Sequence, residues 1–351
     1  MVNIDFKHGG DIYNYKKNLI DFSSNINPLG LTKKLKNIIL KNIDKIEHYP
    51  DISAKEIRKG IAKFWKIREE NVLVGSGSVE LIYLVGQALK PKKVLIPSPT
   101  FSEYERAVKL TARSEIEFLE LDKSKGFSLN FTTDNKTDMI FLCNPNNPTG
   151  NLIIRDKEEI KNLQKCKFVI IDEAFMDFLE DQKEHTLIWE AIKGKNIIVL
   201  RTFTKFFSLP GLRIGYLVAN SNIVNLLKKY QIPWSVNSLA QIVALKVLPD
   251  KNYIKKTYTL IEKEKNFLFQ EIAKIQGLKP YPSVANFILI KIERENLNSK
   301  TLKEKLTKFE ILIRDCSNFR NLGDKFIRVA VRKHSENIKL INSLKKILCK
   351  N

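Results

Sequence analysis

The sequence predicts an α/β protein: a mostly parallel, seven-stranded sheet covered by helices, followed by a smaller α+β unit. Three observations predict it. From Val72 onward, short runs rich in Val, Ile and Leu alternate with helical stretches, the pattern of strands joined by crossover helices. Seven such runs precede residue 220, at 72–74, 94–96, 116–121, 139–142, 168–171, 197–200 and 214–218. Beyond Asn220 the alternation gives way to long helices and a few short strands.

The elements follow in order. Residues 1–30 carry few periodic apolar positions and many turn formers, in His8-Gly9-Gly10 and in Asn25-Ile26-Asn27-Pro28-Leu29-Gly30, and read as an extended arm lying on other surfaces. Leu31, Leu35, Ile38 and Ile39 are spaced for a helix over 31–43, with Thr32 as its cap. His48-Tyr49-Pro50-Asp51 interrupts the pattern, and 52–65 is a second amphipathic helix. The seven strands come next. After them the spacing predicts helices at 223–230, 239–247 and 253–275, strands at 287–292, 311–314 and 326–331, and a last helix over 336–348. The expected organisation is an arm (1–30) packed on the small domain and the site, a large α/β domain (31–225) and a small α+β domain (226–351).

Composition narrows the function classes. The chain has 351 residues, 43% of them hydrophobic, enough for a sizeable core. No apolar run approaches the roughly 20 residues of a membrane span, and 1–10 lacks a signal-peptide core, so the expectation is a cytoplasmic protein without a membrane partner. Cys143, Cys166, Cys316 and Cys349 form no CxxC pair, and the four histidines are scattered, so no metal site is expected. A formal charge of +21 raises nucleic-acid binding. The sequence lacks helix-turn-helix punctuation, zinc spacing and aromatic RNA-binding motifs. The charge is therefore read as a lysine-rich surface that favours small anionic substrates over nucleic acid.

The chemistry concentrates at the carboxyl ends of the predicted strands, where open α/β sheets bind ligands. In Thr202-Phe203-Thr204-Lys205, Lys205 lies in a loop between two buried strands, where desolvation lowers an amine's proton affinity and prepares it to attack a carbonyl. Thr202, Thr204 and Arg213 are donors suited to a phosphate, and an imine-forming lysine beside a phosphate site suggests pyridoxal phosphate. Asp172 ends a strand, where a buried carboxylate needs a cation or else serves as a helix cap. Gly75-Ser76-Gly77-Ser78 opens a helix and offers backbone N–H groups to an anion, although ordinary βα turns share this composition. Asn144-Pro145-Asn146-Asn147-Pro148-Thr149-Gly150 is a rigid turn able to aim Asn147 at a fixed ligand atom.

Together, Asn-Pro-x-Asn-Pro-Thr-Gly, Asp172-Glu173-Ala174, Thr-Phe-Thr-Lys and Gly211-Leu212-Arg213-Ile214-Gly215 resemble the fold-type I pyridoxal-phosphate enzymes of the aspartate-aminotransferase superfamily, across essentially the whole chain. The resemblance implies that Lys205 carries the cofactor and shuttles protons, that Asp172 pairs with the pyridine nitrogen, and that Asn147 bonds the ring hydroxyl and adjoins the substrate. Gly77, Ser78, Thr202, Thr204 and Arg213 would hold the cofactor phosphate. Phe101 would stack on the ring, with Tyr104 nearby, and Tyr49 would reach the cofactor of a second subunit in a homodimer. Arg328 would take the substrate α-carboxylate.

Within the superfamily the chain is most similar to the threonine-phosphate decarboxylases of cobalamin biosynthesis, which form aminopropanol phosphate, with histidinol-phosphate aminotransferases as the alternative. The arm carries part of that likeness, with His8, Gly9 and Asn25 implied at the substrate phosphate. Phe175 carries another part, standing where aminotransferases usually have Tyr. The third is Arg314, Arg328 and Arg332, the last two expected on one face of a strand, about 13 Å apart.

Overall fold

The computed structural model describes residues 8–15, 18–112, 114–129, 137–163 and 165–348. Cys349 and residues 1–7 of the expected arm lie outside the described residues.

The arm supplies β1 (Ile20–Asp21), followed by α1 (Lys33–Lys41) and α2 (Lys55–Trp65). Then come β2 (Val72–Gly75), α3 (Gly77–Leu89), β3 (Lys93–Ser98), α4 (Glu103–Thr111), β4 (Glu115–Glu120), β5 (Met139–Cys143) and β6 (Phe168–Asp172). Short helices α5 (Gln182–His185) and α6 (Ile188–Lys193) lead to β7 (Ile197–Thr202) and β8 (Gly215–Ala219). The remainder holds α7 (Ser221–Lys228), α8 (Ser238–Val247), α9 (Lys251–Ala273), β9 (Leu278–Pro280), β10 (Phe287–Ile292), α10 (Ser299–Thr307), β11 (Ile311–Leu312), β12 (Arg314–Asp315), β13 (Phe326–Ala330) and α11 (His334–Leu348).

All seven strands expected before residue 220 form one sheet, in the order β2-β8-β7-β6-β5-β3-β4. It is parallel except for β8, which runs antiparallel to both neighbours. Every residue of β2, β5, β7 and β8 is buried, as in a sheet covered on both faces. The edge strand β4 differs: Glu115, Glu117 and Glu120 point outward and discourage pairing with another chain. The apolar stripe of α2 (Ile57, Ile61, Ala62 and Trp65) is buried, and the Thr32 hydroxyl caps α1 by accepting from the Leu35 N–H at 3.2 Å.

The reversed β8 matters for the site. Gly215, its first residue, pairs with Thr202 at the end of β7 and Gly75 at the end of β2. The loop between β7 and β8, which holds Lys205, is thereby fixed to the carboxyl edge of the sheet. Gly215 is required there, because a Cβ would lie 2.8 Å from the Ser78 nitrogen and from the Arg201 carbonyl.

The second sheet is antiparallel, ordered β12-β13-β10-β9. Here the structure departs from the expected single strand over 311–314. Ile311–Leu312 pairs in parallel with the arm, and Arg314–Asp315 pairs with β13, so the chain changes partners at Ile313. The arm continues the connection: the Phe22 N–H donates to the Leu312 carbonyl at 2.8 Å, and the Phe22 carbonyl accepts from Ala330 at 2.9 Å. β9 has no expected counterpart; its three residues, one of them a proline, are too few for a periodic signal.

Candidate active site

A cavity of about 430 Å³ opens where β5, β6 and β7 end, lined there by Cys143, Asp172 and Thr202. Its other walls come from the arm, from the starts of α3 and α4, and from β12 and β13. Lys205 lies inside, placed by the loop after β7. Burial and the charges of Arg328 and Arg213 lower its amine to about 8, against the opposing pull of Asp172 and Asp21. The arm also holds this loop directly: the Asn27 N–H donates to the Lys205 carbonyl at 3.1 Å, and the Asn27 side chain donates to the Phe206 carbonyl at 2.8 Å.

Asp172 faces the cavity from the end of β6. Burial raises its carboxyl, while hydrogen bonds from Tyr104 and the Ala174 N–H and the charge of Lys205 favour its anion. The Tyr104 hydroxyl donates to Oδ2 at 2.7 Å, and its ring stacks on Phe141 at 5.0 Å. Tyr104 is thus the fixed support of the acid, a role the sequence did not reveal because the partners are 68 residues apart. The adjacent Glu173 points the other way, into an ion pair with the buried Arg201 at 2.8 Å.

Three hydroxyl residues, Ser78, Thr202 and Thr204, share the cavity wall with Arg213. The two threonine hydroxyls lie 3.0 Å apart. Arg213 donates to the Pro210 carbonyl at 3.0 Å. Gly77 lies just outside the lining, with φ +83°, and a Cβ there would come within 2.6 Å of the Arg213 guanidinium. Its smallness lets the arginine reach the start of α3.

Across the cavity lie His8, Gly9, Asn25, Phe101, Asn147, Arg314 and Arg328. Arg328, on β13, is buried; it donates to the Ser23 carbonyl at 2.8 Å and to the Asn147 side-chain oxygen, and its Nε has no partner among the described residues. Burial and the charge of Arg314 bring it down to about 10. The buried Asn25 side-chain oxygen is also without a partner among the described residues. Arg314 donates to the Asn318 side chain at 2.6 Å and lies over the Phe319 ring. Phe175 lines the cavity beside Asp172 and packs edge-on against Phe287.

Two expected residues are elsewhere. Arg332 does not share the face of Arg328: β13 ends at Ala330, and Arg332 pairs at 3.0 Å with Glu336 in the first turn of α11. Its cation answers an acid at a helix start and does not line the cavity. Tyr49 lies on the outer surface, 82% exposed, its ring tilted against Trp234 with centroids 4.9 Å apart. Sequence reading also missed Glu103, a buried acid of the cavity wall; its only signal was an acid in a helix's first turn, where acids are common.

Residues 17–344 match the family described as aminotransferase class I and II. The chain belongs to that family. A relative from Caldanaerobacter subterraneus subsp. tengcongensis, provisionally named a threonine-phosphate decarboxylase, is 40% identical over 97% of this chain and 93% of its own length. Among solved structures, the histidinol-phosphate aminotransferase of Clostridium acetobutylicum is 33% identical, with a TM-score of 0.84 over 95% of this chain and 100% of that one. The L-threonine-O-3-phosphate decarboxylase of Porphyromonas gingivalis is 27% identical, with a TM-score of 0.83 over 94% and 99%.

The family depends on pyridoxal phosphate, and the cavity fits it. Ser78, Thr202, Thr204 and Arg213 bring donors together on one side, and two glycines keep that corner clear of Cβ atoms. A buried carboxylate and a depressed lysine share the same space. Phosphate, ring nitrogen and aldehyde each have a chemically matched group.

Proposed function

We propose that this enzyme decarboxylates L-threonine O-3-phosphate to (R)-1-amino-2-propanol O-2-phosphate, the aminopropanol unit of cobalamin. The observation that carries the reading is the far wall of the cavity. His8, Arg314 and Arg328 converge there, and the hydrogen-bond partners of Arg328 are an amide and a carbonyl, not a carboxylate. A substrate with both a carboxylate and a phosphate engages that whole wall at once; an aminotransferase would engage it in turn, the phosphate with histidinol phosphate and the carboxylate with 2-oxoglutarate. The arm that delivers His8 and Asn25, and Phe175 beside Asp172, support the same choice through the resemblance described above.

In this reading Ser78, Thr202, Thr204 and Arg213 would hold the cofactor phosphate, assisted by the open corner at Gly77. Asp172, braced by Tyr104, would pair with the pyridine nitrogen, Asn147 would bond the ring hydroxyl, and Phe101 would pack on the ring. Pyridoxal phosphate, when bound, supplies an electron sink for a pair released at Cα. Arg328 grips the α-carboxylate, while Arg314, His8 and Asn25 take the substrate phosphate. Holding both ends fixes which bond at Cα is presented for cleavage. The Cα–carboxylate bond breaks, carbon dioxide leaves, and the electron pair stays behind until Lys205 delivers a proton to Cα. An amine held at about 8 both gives and takes protons near neutrality. Phe175 lacks a hydroxyl, so it offers the ring no hydrogen bond.

Product analysis tests the proposal. L-threonine phosphate given to the cofactor-loaded protein is expected to yield carbon dioxide and aminopropanol phosphate. Histidinol phosphate with 2-oxoglutarate is expected to yield no appreciable glutamate. Glutamate without carbon dioxide would make this a histidinol-phosphate aminotransferase and sink the decarboxylase reading.

We also infer a homodimer. Leu40, Ile43, Ile46, Ile52, Ile232 and Trp234 are exposed on the segments around Tyr49, and a second copy would cover them. Tyr49 would then reach the partner's cofactor. Sedimentation equilibrium should give twice the 40.6 kDa chain mass, and a monomer at micromolar concentration would refute it.

A further inference from the structure

The first turn of α4 carries an acid that no step above uses. Glu103 is only 4% exposed and forms part of the cavity wall. Both of its oxygens are committed. Oε1 lies 2.8 Å from His8 Nε2, and Oε2 accepts from the Tyr83 hydroxyl of α3 at 2.9 Å. Arg106 lies 3.7 Å away. Burial pushes the Glu103 carboxyl up, but the bonds from His8 and Tyr83 prevail and hold it below its ordinary value. An exposed acid here would be explained by the helix dipole alone. A buried one, bridging α3 and the arm, is not.

The arm reaches Glu103 under tight constraint. A Cβ on Gly9 would lie 2.1 Å from the Ser23 carbonyl oxygen. Gly10 has φ +84°, and its N–H donates to the Ser23 hydroxyl at 2.7 Å. The backbone is therefore fixed as far as Gly9, and the direction of the His8 side chain is left to its contacts. Those are Glu103 and the Phe101 ring, whose centroid lies 5.6 Å away.

We propose that Glu103 is a positioning residue for substrate recognition: braced by Tyr83, it holds the His8 imidazole against Phe101 on the phosphate side of the cavity. The assignment rests on the reading that the substrate is a phosphorylated amine. Glu103 acts through His8, not on the substrate. Glu105, in the same turn, secures the opposite flank: Arg320 donates to it at 2.9 and 3.2 Å, in the loop that follows Arg314.

The test is a binding cycle on the cofactor-loaded protein, using wild type, His8→Ala, Glu103→Gln and the double variant. L-threonine phosphate is followed through the KM of its turnover, and L-threonine and histidinol phosphate through their Ki as competitors. Each single change should weaken L-threonine phosphate about tenfold, as for loss of one charge-assisted contact. The double variant should be no weaker than His8→Ala, and L-threonine should bind all four alike. Tyr83→Phe guards against a misfolded Glu103 variant; it should weaken only the phosphorylated ligand, about threefold. Additive losses in the double variant, equal losses for L-threonine, or wild-type binding by Glu103→Gln would each overturn the assignment. Wild-type protein that binds histidinol phosphate but not L-threonine phosphate would defeat the decarboxylase reading alone, and the same pattern read on histidinol phosphate would uphold Glu103. Binding of neither phosphorylated ligand would defeat both.

Discussion

The two sides of the cavity are built differently. The side assigned to the cofactor is made from strand ends and the turns that adjoin them: Ser78 after β2, Asp172 at the end of β6, Thr202 at the end of β7 with Thr204 and Lys205 after it, and Arg213 before β8. Each is positioned by the strand it adjoins, and the sheet sets their mutual spacing. The side assigned to the substrate brings His8 and Asn25 of the arm against Arg314 and Arg328, about three hundred positions away. Its parts are joined by tertiary contacts, such as the bond from Arg328 to the Ser23 carbonyl. One side inherits rigidity from the sheet; the other depends on the arm staying docked. A fixed cofactor platform with a separately assembled substrate wall also fits the close likeness to relatives of two different names.

The largest effect should come from the rigid side. Lys205→Ala is expected to lower turnover by at least about 10⁴-fold, the upper range for loss of a positioned acid–base group, with thermal stability little changed. In the wild type, the amine held at about 8 loses its proton as pH rises through that value. Covalent capture of pyridoxal phosphate by the apoprotein, trapped with borohydride, should accelerate with pH and level off above about 8. A midpoint near the ordinary lysine value would show that the cavity does not desolvate Lys205, and would remove the main electrostatic distinction of this side.

This contrast also governs what could be read from the sequence. All seven strands of the large sheet and the positions of Lys205, Asp172 and Thr202 were legible, because each depends on a local run of apolar residues and the turn after it. Arg332 was misread for a tertiary reason: β13 stops at Ala330, and Glu336, in the first turn of α11, takes the guanidinium. The split of 311–314 between two sheets follows from the docked arm, whose two-residue strand has no signature of its own. Tyr104 beneath Asp172 and Glu103 behind His8 were hidden likewise, since their partners lie 68 and 95 residues away.

A smaller effect should come from loosening the assembled side at its narrowest contact. Gly9→Ala places a methyl group where the Ser23 carbonyl now lies, and that carbonyl is backbone, with no rotamer in which to escape. Because the same oxygen accepts from Arg328, displacing either segment disturbs the cation assigned to the α-carboxylate. The expected outcome is a rise in KM for L-threonine phosphate of about tenfold, with kcat lowered less and pyridoxal phosphate uptake unchanged, since a cost near 1.4 kcal/mol confined to substrate binding corresponds to that factor. Steady-state kinetics and cofactor titration on the same preparation check both halves. Loss of cofactor uptake in this variant would mean that the arm supports the platform as well as the wall. The bonds from Asn27 to the Lys205 loop would then be the contacts that carry the coupling.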